Sequence, residues 1–311
     1  MTISVIFASR NRAALLTQTL DSFTKLQVVG FDWEILAVDN GSTDSTGQVL
    51  QRYASRLPLR PIEEPQPGKN RALNRALPLA RGELLVFTDD DVVPHVDWLS
   101  ALVRATQRWP DDTIFGGRIV ALFPPETPDW LRTHQYAGAA YAEFTPDDPE
   151  GPILRAPFGA NYAVRARALA TQRFSSDLGP KVGSYAVGGE TELLMRLMRL
   201  GHRVIYVPDA EVGHVVRDEQ LQMPWIFRRA HGQGRGNMRL AHMFSLPTLP
   251  VRSLYWRLLT TGLSYYAQVA FARRDTRRIF ERGTVYHYWR GQIHECRRIA
   301  HQQDQRPEAG N

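Results

Sequence analysis

The stretch LLVFTDDDVVP, residues 84–94, decides how this chain folds and where its chemistry lies. Leu84 to Thr88 is a short run rich in branched and aromatic side chains, too brief for a helix, and it reads as a buried strand. Three aspartates follow at once. Adjacent carboxylates repel one another, so the triplet costs stability unless a cation or a donor network compensates it. Along an extended segment alternate side chains share a side, which brings Asp89 and Asp91 together. Oxygen ligands of this kind suit Mg2+ or Mn2+, ions that bridge one or two carboxylates to substrate phosphates. The plainer alternative is a solvated loop, or an aspartate capping a helix that starts near Trp98.

Upstream, residues 3–8 form another apolar run, and residues 13–26 set Leu16, Leu20 and Phe23 on one helical face. Residues 33–38 predict a second strand that ends in Asp39-Asn40-Gly41-Ser42, a loop signal. Helices follow over 43–57, with Ser42 or Thr43 as cap, and over 70–80. Strands and helices in alternation, with short links, imply right-handed crossovers and an α/β fold with a mainly parallel sheet flanked by helices. Ligands of such sheets bind beyond the carboxyl ends of the strands, where Asp39 and the aspartate triplet fall. Residues 123–152, rich in Pro, Asp and Glu, read as a long loop and candidate lid. Residues 191–200 predict a helix ending at Gly201, and 204–207 a strand. From Pro224 the pattern turns to Arg-rich aromatic helices. The organisation expected is a catalytic α/β domain over 1–220, a basic, aromatic helical extension over 221–302 and a disordered tail over 303–311.

Of the 311 residues 43% are hydrophobic and 23% charged, which suits an ordered globular chain with a large core. The net charge of +6 fits nucleic acid, an anionic membrane surface or a phosphate-rich substrate. A nucleic-acid partner explains the charge but not the aspartates, which repel phosphates without a metal. Cys296 is the sole cysteine, so an intrachain disulfide and a cysteine-rich zinc site are excluded. The N-terminal segment lacks the order of a signal peptide, and no run of 18 apolar residues suggests a membrane span. The expected location is the cytoplasm, at the inner face of the membrane if the C-terminal helices bind lipid.

Other segments offer chemistry, each with a structural alternative. In ILAVDNGSTD, residues 35–44, Asp39 is placed to accept hydrogen bonds from a base or ribose, or else to form an Asx-turn. In PGKNRALNRAL, residues 67–77, Lys69 and Arg71 lie by a helix N-terminus, where phosphate binds well, although the P-loop pattern is absent. Glu190, just before a helix, is a candidate general base or a favourable charge at the helix N-terminus; Glu192 suits the latter task. His214 joins the aspartates in a mixed N/O site that Mn2+ tolerates, or is structural. The stretch from His231 to Arg235 offers cations to a diphosphate. Tyr255, Trp256, Leu258, Leu259, Leu263, Tyr265 and Tyr266, with Arg252, Arg257, Arg273 and Arg274, suggest an interfacial helix or a helical cap over the catalytic domain.

In this order the pieces resemble the family 2 glycosyltransferases with the GT-A (Rossmann-like) fold, over about residues 3–214. SVIFASRNR looks like the family's opening strand and turn, which implies that Ser9 and Arg10 stand on the donor side. VDNGSTD is similar to its nucleotide-binding segment and implies that Asp39 contacts the base. GKNRALNRAL resembles a stretch near the donor, implying supporting roles for Lys69 and Asn74. FTDDDVVP looks like the DxD element: Asp89 near the ribose or metal, Asp90 at the variable position on the donor side, Asp91 as metal ligand. GANYAVRARAL resembles the acceptor side, with Gly159, Ala160 and Asn161. Many relatives read Gly-Glu-Asp before the helix; here Glu190 stands where that catalytic Asp would be, one methylene longer. His214 falls where some relatives bind metal.

The resemblance implies inverting transfer from a nucleotide-diphosphate sugar, a UDP-sugar foremost, assisted by Mn2+ or Mg2+. The acceptor implied is a glycan or a lipid-linked molecule, as in cell-surface glycan or glycolipid synthesis, with peripheral membrane contact and no nucleic acid. The competing readings are a non-catalytic nucleotide-sugar or glycan binder of the same fold, and a sugar nucleotidyltransferase, for which Ser9-Arg10-Asn11-Arg12 is a poor substitute for a Gly-rich loop.

Overall fold

The computed structural model describes residues 1–134, 136–176, 178–181, 184–271 and 275–304. In chain order its elements are β1 (Thr2–Ser9), α1 (Ala13–Phe23), β2 (Asp32–Asp39), α2 (Thr46–Tyr53), β3 (Leu59–Glu63), α3 (Lys69–Ala76), β4 (Leu84–Thr88), β5 (Val92–Pro94), α4 (Trp98–Arg108) and β6 (Ile114–Leu122). There follow α5 (Asp129–Arg132), α6 (Ala137–Tyr141), β7 (Gly151–Ile153), β8 (Asn161–Arg165), β9 (Gly179–Lys181), β10 (Ser184–Ala186), α7 (Gly189–Arg199), β11 (Val204–Val215), α8 (Met223–Met243), α9 (Val251–Phe271) and α10 (Thr276–Asp304). The chain divides into two compact units. One comprises Met1–Phe123, Gln135–Gly183 and Gly189–Val216; the other comprises Pro124–His134, Ser184–Gly188 and Arg217–Asn311.

The first unit is built on one mixed sheet of order β3-β2-β1-β4-β8-β6-β11-β5, with β7 also on β11. Strands β1 to β4 pair in parallel, as their alternation with helices requires. Beyond β4 the pairing is mixed: β8 lies antiparallel between β4 and β6, and β6 runs parallel to β11. The apolar runs have a simple cause, since these strands are covered on both faces. Ile3, Val5, Phe7, Ile35, Ala37, Leu84 and Val86 turn to one side, towards Leu16, Leu20 and Phe23 of α1 and Trp98 of α4. Ile6, Leu36, Val38, Leu85 and Phe87 turn to the other, towards Leu73 of α3 and Leu193 and Leu197 of α7. A two-residue period thus sorts consecutive apolar residues into two cores.

Several boundaries differ from the sequence reading. Helix α2 starts only at Thr46, because the Asp44 carboxylate takes the backbone N–H of Thr46 at 2.9 Å and that of Ala13 at 3.2 Å, capping two helices at once. Strand β11 runs on to Val215 through an irregularity between Val207 and Glu211, where Pro208 interrupts the pattern. Helix α7 opens at Gly189, so Glu190 belongs to its first turn rather than preceding it. Residues 123–152 contain α5, α6 and β7, elements of four, five and three residues, too short to leave a period in the sequence. Helix α10 extends to Asp304. The remaining tail, 305–311, with Arg273 and Arg274, lies outside the described residues. Among the described residues no helix is long and apolar enough to cross a membrane.

In the second unit α8 and α10 touch backbone to backbone. A Cβ at Gly234 would strike the carbonyl of Tyr288, and one at Gly291 the carbonyl of His231. The glycines around His231 therefore serve helix contact, and Arg235 does not face outward to a diphosphate. Its Nε donates at 3.0 Å to Glu295, a fully buried carboxylate that also accepts from Arg239 at 2.7 Å and Arg298 at 2.6 Å. Burial opposes ionisation of Glu295, but the hydrogen bonds of Arg298 and Arg239 prevail and hold it below the usual carboxylate range. Nearby, burial first and then His294 and Arg235 push the His231 imidazole down to about 4, and burial with Arg290 does the same to His287.

Two outcomes are expected. Gly234→Ala should lower the free energy of unfolding by about 1–3 kcal/mol, the usual cost of overpacking, measured by urea denaturation. Both histidines are neutral when folded but charge in the unfolded chain below about 6.5, so the unfolded state binds more protons there. The urea midpoint should therefore fall as pH drops from about 6.5 towards about 4, and the double variant His231→Phe, His287→Phe should flatten that slope.

Candidate active site

Strand register assembles the site. Ser9 at the end of β1 is opposite Asp39 at the end of β2, and β4 runs parallel beside β1, so three carboxyl ends share one rim. The chain leaves β4 at Thr88 and after the aspartates re-enters the sheet as β5, antiparallel to β11. That pairing sets His214 opposite Val92, and the Val215 N–H donates to the Asp91 carbonyl at 2.9 Å. The His214 Nε2 consequently lies 3.3 Å from Asp91 Oδ1. One ligand atom from each of Asp89, Asp91 and His214 falls within 4.8 Å of the others, with Asp91 and His214 buried and Asp89 partly so. Two carboxylate oxygens and an imidazole nitrogen at this spacing fit a divalent cation.

Asp90 has a different environment. Its carboxylate accepts from the Ser9 hydroxyl at 2.6 Å and from Arg12 Nη1 at 2.9 Å, while its carbonyl accepts from Thr19 at 2.9 Å. Burial is the main cause that pushes the Asp90 carboxyl up to about 6, with Asp91 adding to it and Arg12 opposing it. The same Arg12 nitrogen reaches Asp91 Oδ2 at 2.8 Å. Burial works against the guanidinium charge, but Asp90 and Asp91 outweigh it and raise the Arg12 pKa. The sequence reading missed Arg12, three residues beyond the end of β1, which no motif singled out. The turn that carries it is pinned, since Asn11 has φ 53° and its side chain accepts from the Thr43 N–H at 2.7 Å.

Lys69 opens α3 and sits between two acids, 2.5 Å from Asp89 Oδ1 and 2.5 Å from Glu190 Oε1. Burial opposes its charge, yet Asp89 and Glu190 raise its pKa. Close contact of α3 with α7 places the pair: a Cβ at Gly189 would fall 2.5 Å from the Asn70 amide nitrogen. Gly159 borders Glu190 from the other direction, where a Cβ would meet the carboxylate oxygen at 2.8 Å. Asp89, Asp90, Asp91 and Glu190 thus face the cations Arg12 and Lys69, four acids against two bases. A divalent ion would cancel the difference.

The other expected residues are spent differently. Asp39 is half-buried and accepts from the Ser42 N–H at 3.0 Å, the Asx-turn, with its second oxygen towards Gly47. The Asn74 amide donates to the Phe174 carbonyl and accepts from its N–H, both at 2.9 Å, fastening a loop to α3. Asn161 is fully buried and its amide is occupied internally, accepting from the Trp98 indole and donating to the carbonyls of Arg118 and Ala210. The Ala160 carbonyl accepts from Thr88. Arg10 is exposed on the rim. Asn161 therefore offers no spare donor to a ligand. Tyr162, stacked on Phe87 at 4.9 Å, is fully buried with its hydroxyl lacking a hydrogen-bond partner among the described residues.

Comparison with known proteins agrees with this arrangement. The family model described as Glycosyl transferase family 2 matches residues 4–171. Glycosyltransferase AglE of Haloferax volcanii is 25% identical over 233 residues, 74% of this chain and 72% of that protein. Glucosyl-dolichyl phosphate glucuronosyltransferase of the same organism is 24% identical over 164 residues, and the match spans half of each chain. Among solved structures, mannosyltransferase PcManGT from Pyrobaculum calidifontis, in complex with GDP-Man and Mn2+, superposes with a TM-score of 0.61 at 22% identity over 98% of this chain and 88% of its own. At that identity the likeness speaks for the fold, which is GT-A.

Metal binding is directly testable. Mn2+ titrated into the protein and followed by electron paramagnetic resonance should bind at one site. Asp91→Asn and His214→Ala should each weaken it by more than about tenfold. Asn74→Ala, which removes only a loop fastening, should leave it unchanged.

Proposed function

This chain belongs to glycosyl transferase family 2, and we propose that it transfers a sugar from a nucleotide-diphosphate sugar to an acceptor hydroxyl, with inversion and with help from a divalent metal. The observation that carries this reading is the Asp89, Asp91 and His214 group beside Lys69 and Glu190. Asp91 and His214, with Asp89, are the ligands we assign to Mn2+ or Mg2+. When bound, such an ion neutralises charge on a departing diphosphate. Asp39, at the next strand end, holds the base or ribose. Arg12 and Lys69 add fixed positive charge on the donor side, already oriented by the acids they bridge.

Glu190 is the general base in this reading. In the first turn of α7 its carboxylate is held by Lys69 and bounded by Gly159, so it has one defined direction from which to take the acceptor proton. Its additional methylene relative to aspartate is accommodated because residue 159 has no side chain. A UDP-sugar is the donor we favour. One relative's name specifies a dolichyl phosphate sugar, which supports a lipid-linked acceptor.

The experiment is release of nucleoside diphosphate from a panel of UDP- and GDP-sugars with Mn2+. At least one donor should turn over, and a chelator should stop it. Glu190→Gln should lower the rate about 10²–10⁴-fold while donor affinity is kept. Gly159→Val should likewise reduce turnover without unfolding the chain. Full activity in Glu190→Gln removes the base assignment, and a well-folded protein that binds donors but releases no diphosphate from any of them is a binder instead.

A further inference from the structure

The outward face of α9 is without an explanation in the transfer reaction. One side of this helix is packed: Leu254 and Gly262 are buried, and Tyr265 stacks on Tyr286 of α10 at 5.6 Å. On the opposite side Trp256, Leu259, Leu263 and Tyr266 are 65%, 55%, 65% and 58% exposed, at intervals of three and four residues. Phe271 at the end of the same helix is 91% exposed. From Trp256 to Phe271 the helix is roughly 20 Å long. Large apolar side chains gathered in this manner on a surface mark a binding face.

The charge around the stripe identifies its partner. Helix α9 has no acidic residue, and its two charges are Arg252 and Arg257. Arg297 of α10 donates to the Tyr255 hydroxyl at 2.7 Å and remains exposed at the stripe's edge. From Arg217 to Arg298 the chain has 15 arginines, no lysine and 5 acidic residues. A second copy docked here would bring arginines against arginines, and a face roughly 20 by 10 Å is well short of the ~800 Å² per partner of a stable interface. Nucleic acid would pair the arginines but leave Leu259 and Leu263 in water. A bilayer with anionic headgroups satisfies both parts, taking apolar side chains below the phosphates and guanidinium groups among them. Helix α9 is not apolar enough to cross a bilayer, which leaves contact along its exposed face.

We propose that α9 is a membrane-docking helix, with Trp256, Leu259, Leu263 and Tyr266 entering the headgroup–acyl boundary of an anionic phospholipid bilayer. Docking requires neither donor nor metal, so it stands or falls separately from the transfer reaction.

The test is flotation of the full chain with vesicles of equal parts phosphatidylcholine and phosphatidylglycerol, against vesicles of phosphatidylcholine alone. The protein should float with the anionic vesicles and much less with the neutral ones. The double variant Trp256→Ser, Leu263→Ser should lose more than about tenfold in partitioning, with the melting temperature and diphosphate release from a soluble donor unchanged. The proposal is overturned if the wild type does not float with anionic vesicles, or if the double variant floats equally well. A dimer in sedimentation that the double variant dissociates, without flotation of either protein, assigns the face to a second copy and also overturns it.

Discussion

Crowding of like charge at the carboxyl edge of the sheet governs this molecule. Asp89, Asp90, Asp91 and Glu190 gather around only two cations, and like charges so placed repel one another unless compensated. Two cations from separate elements, Arg12 after β1 and Lys69 at the start of α3, divide the task, each bridging two acids. The bridges tie the β1 turn to the aspartate turn and the start of α3 to the start of α7. The architecture of the rim is thus set as much by electrostatics as by the hydrophobic layers beneath it.

The helical unit solves a related problem by other means. Glu295 has no access to water, and three arginines surround it. Such a group is tolerated only when its oxygens are fully engaged, and the close approach of α8 and α10 at Gly234 and Gly291 brings Arg235 and Arg239 within reach. The stretch from His231 to Arg235, which in the sequence offered cations to a diphosphate, is instead a place of contact between two long helices.

The catalytic framework was readable because its signals are local. A buried strand that ends in three aspartates, and a strand–helix alternation ahead of it, need no distant partner to be recognised, and the order of motifs named the family. His214 was expected beside Asp91 from the sequence, but the reason it arrives there depends on register: β5 pairs antiparallel with β11, a match across more than a hundred residues whose intervening strands form a mixed sheet. The bridge from Lys69 to Glu190 arises from the packing of two helices. Arg12 carried no pattern of its own, and Asn161 looked available because a sequence does not reveal which amides are already occupied.

Asp44 joins the opening turn and the nucleotide-side loop into one mechanical piece. Its two oxygens take the backbone N–H groups of Ala13 and Thr46, the first residues of α1 and α2, so both helix starts are held to one side chain. Removing that one carboxylate would release the starts of α1 and α2 from each other at a stroke.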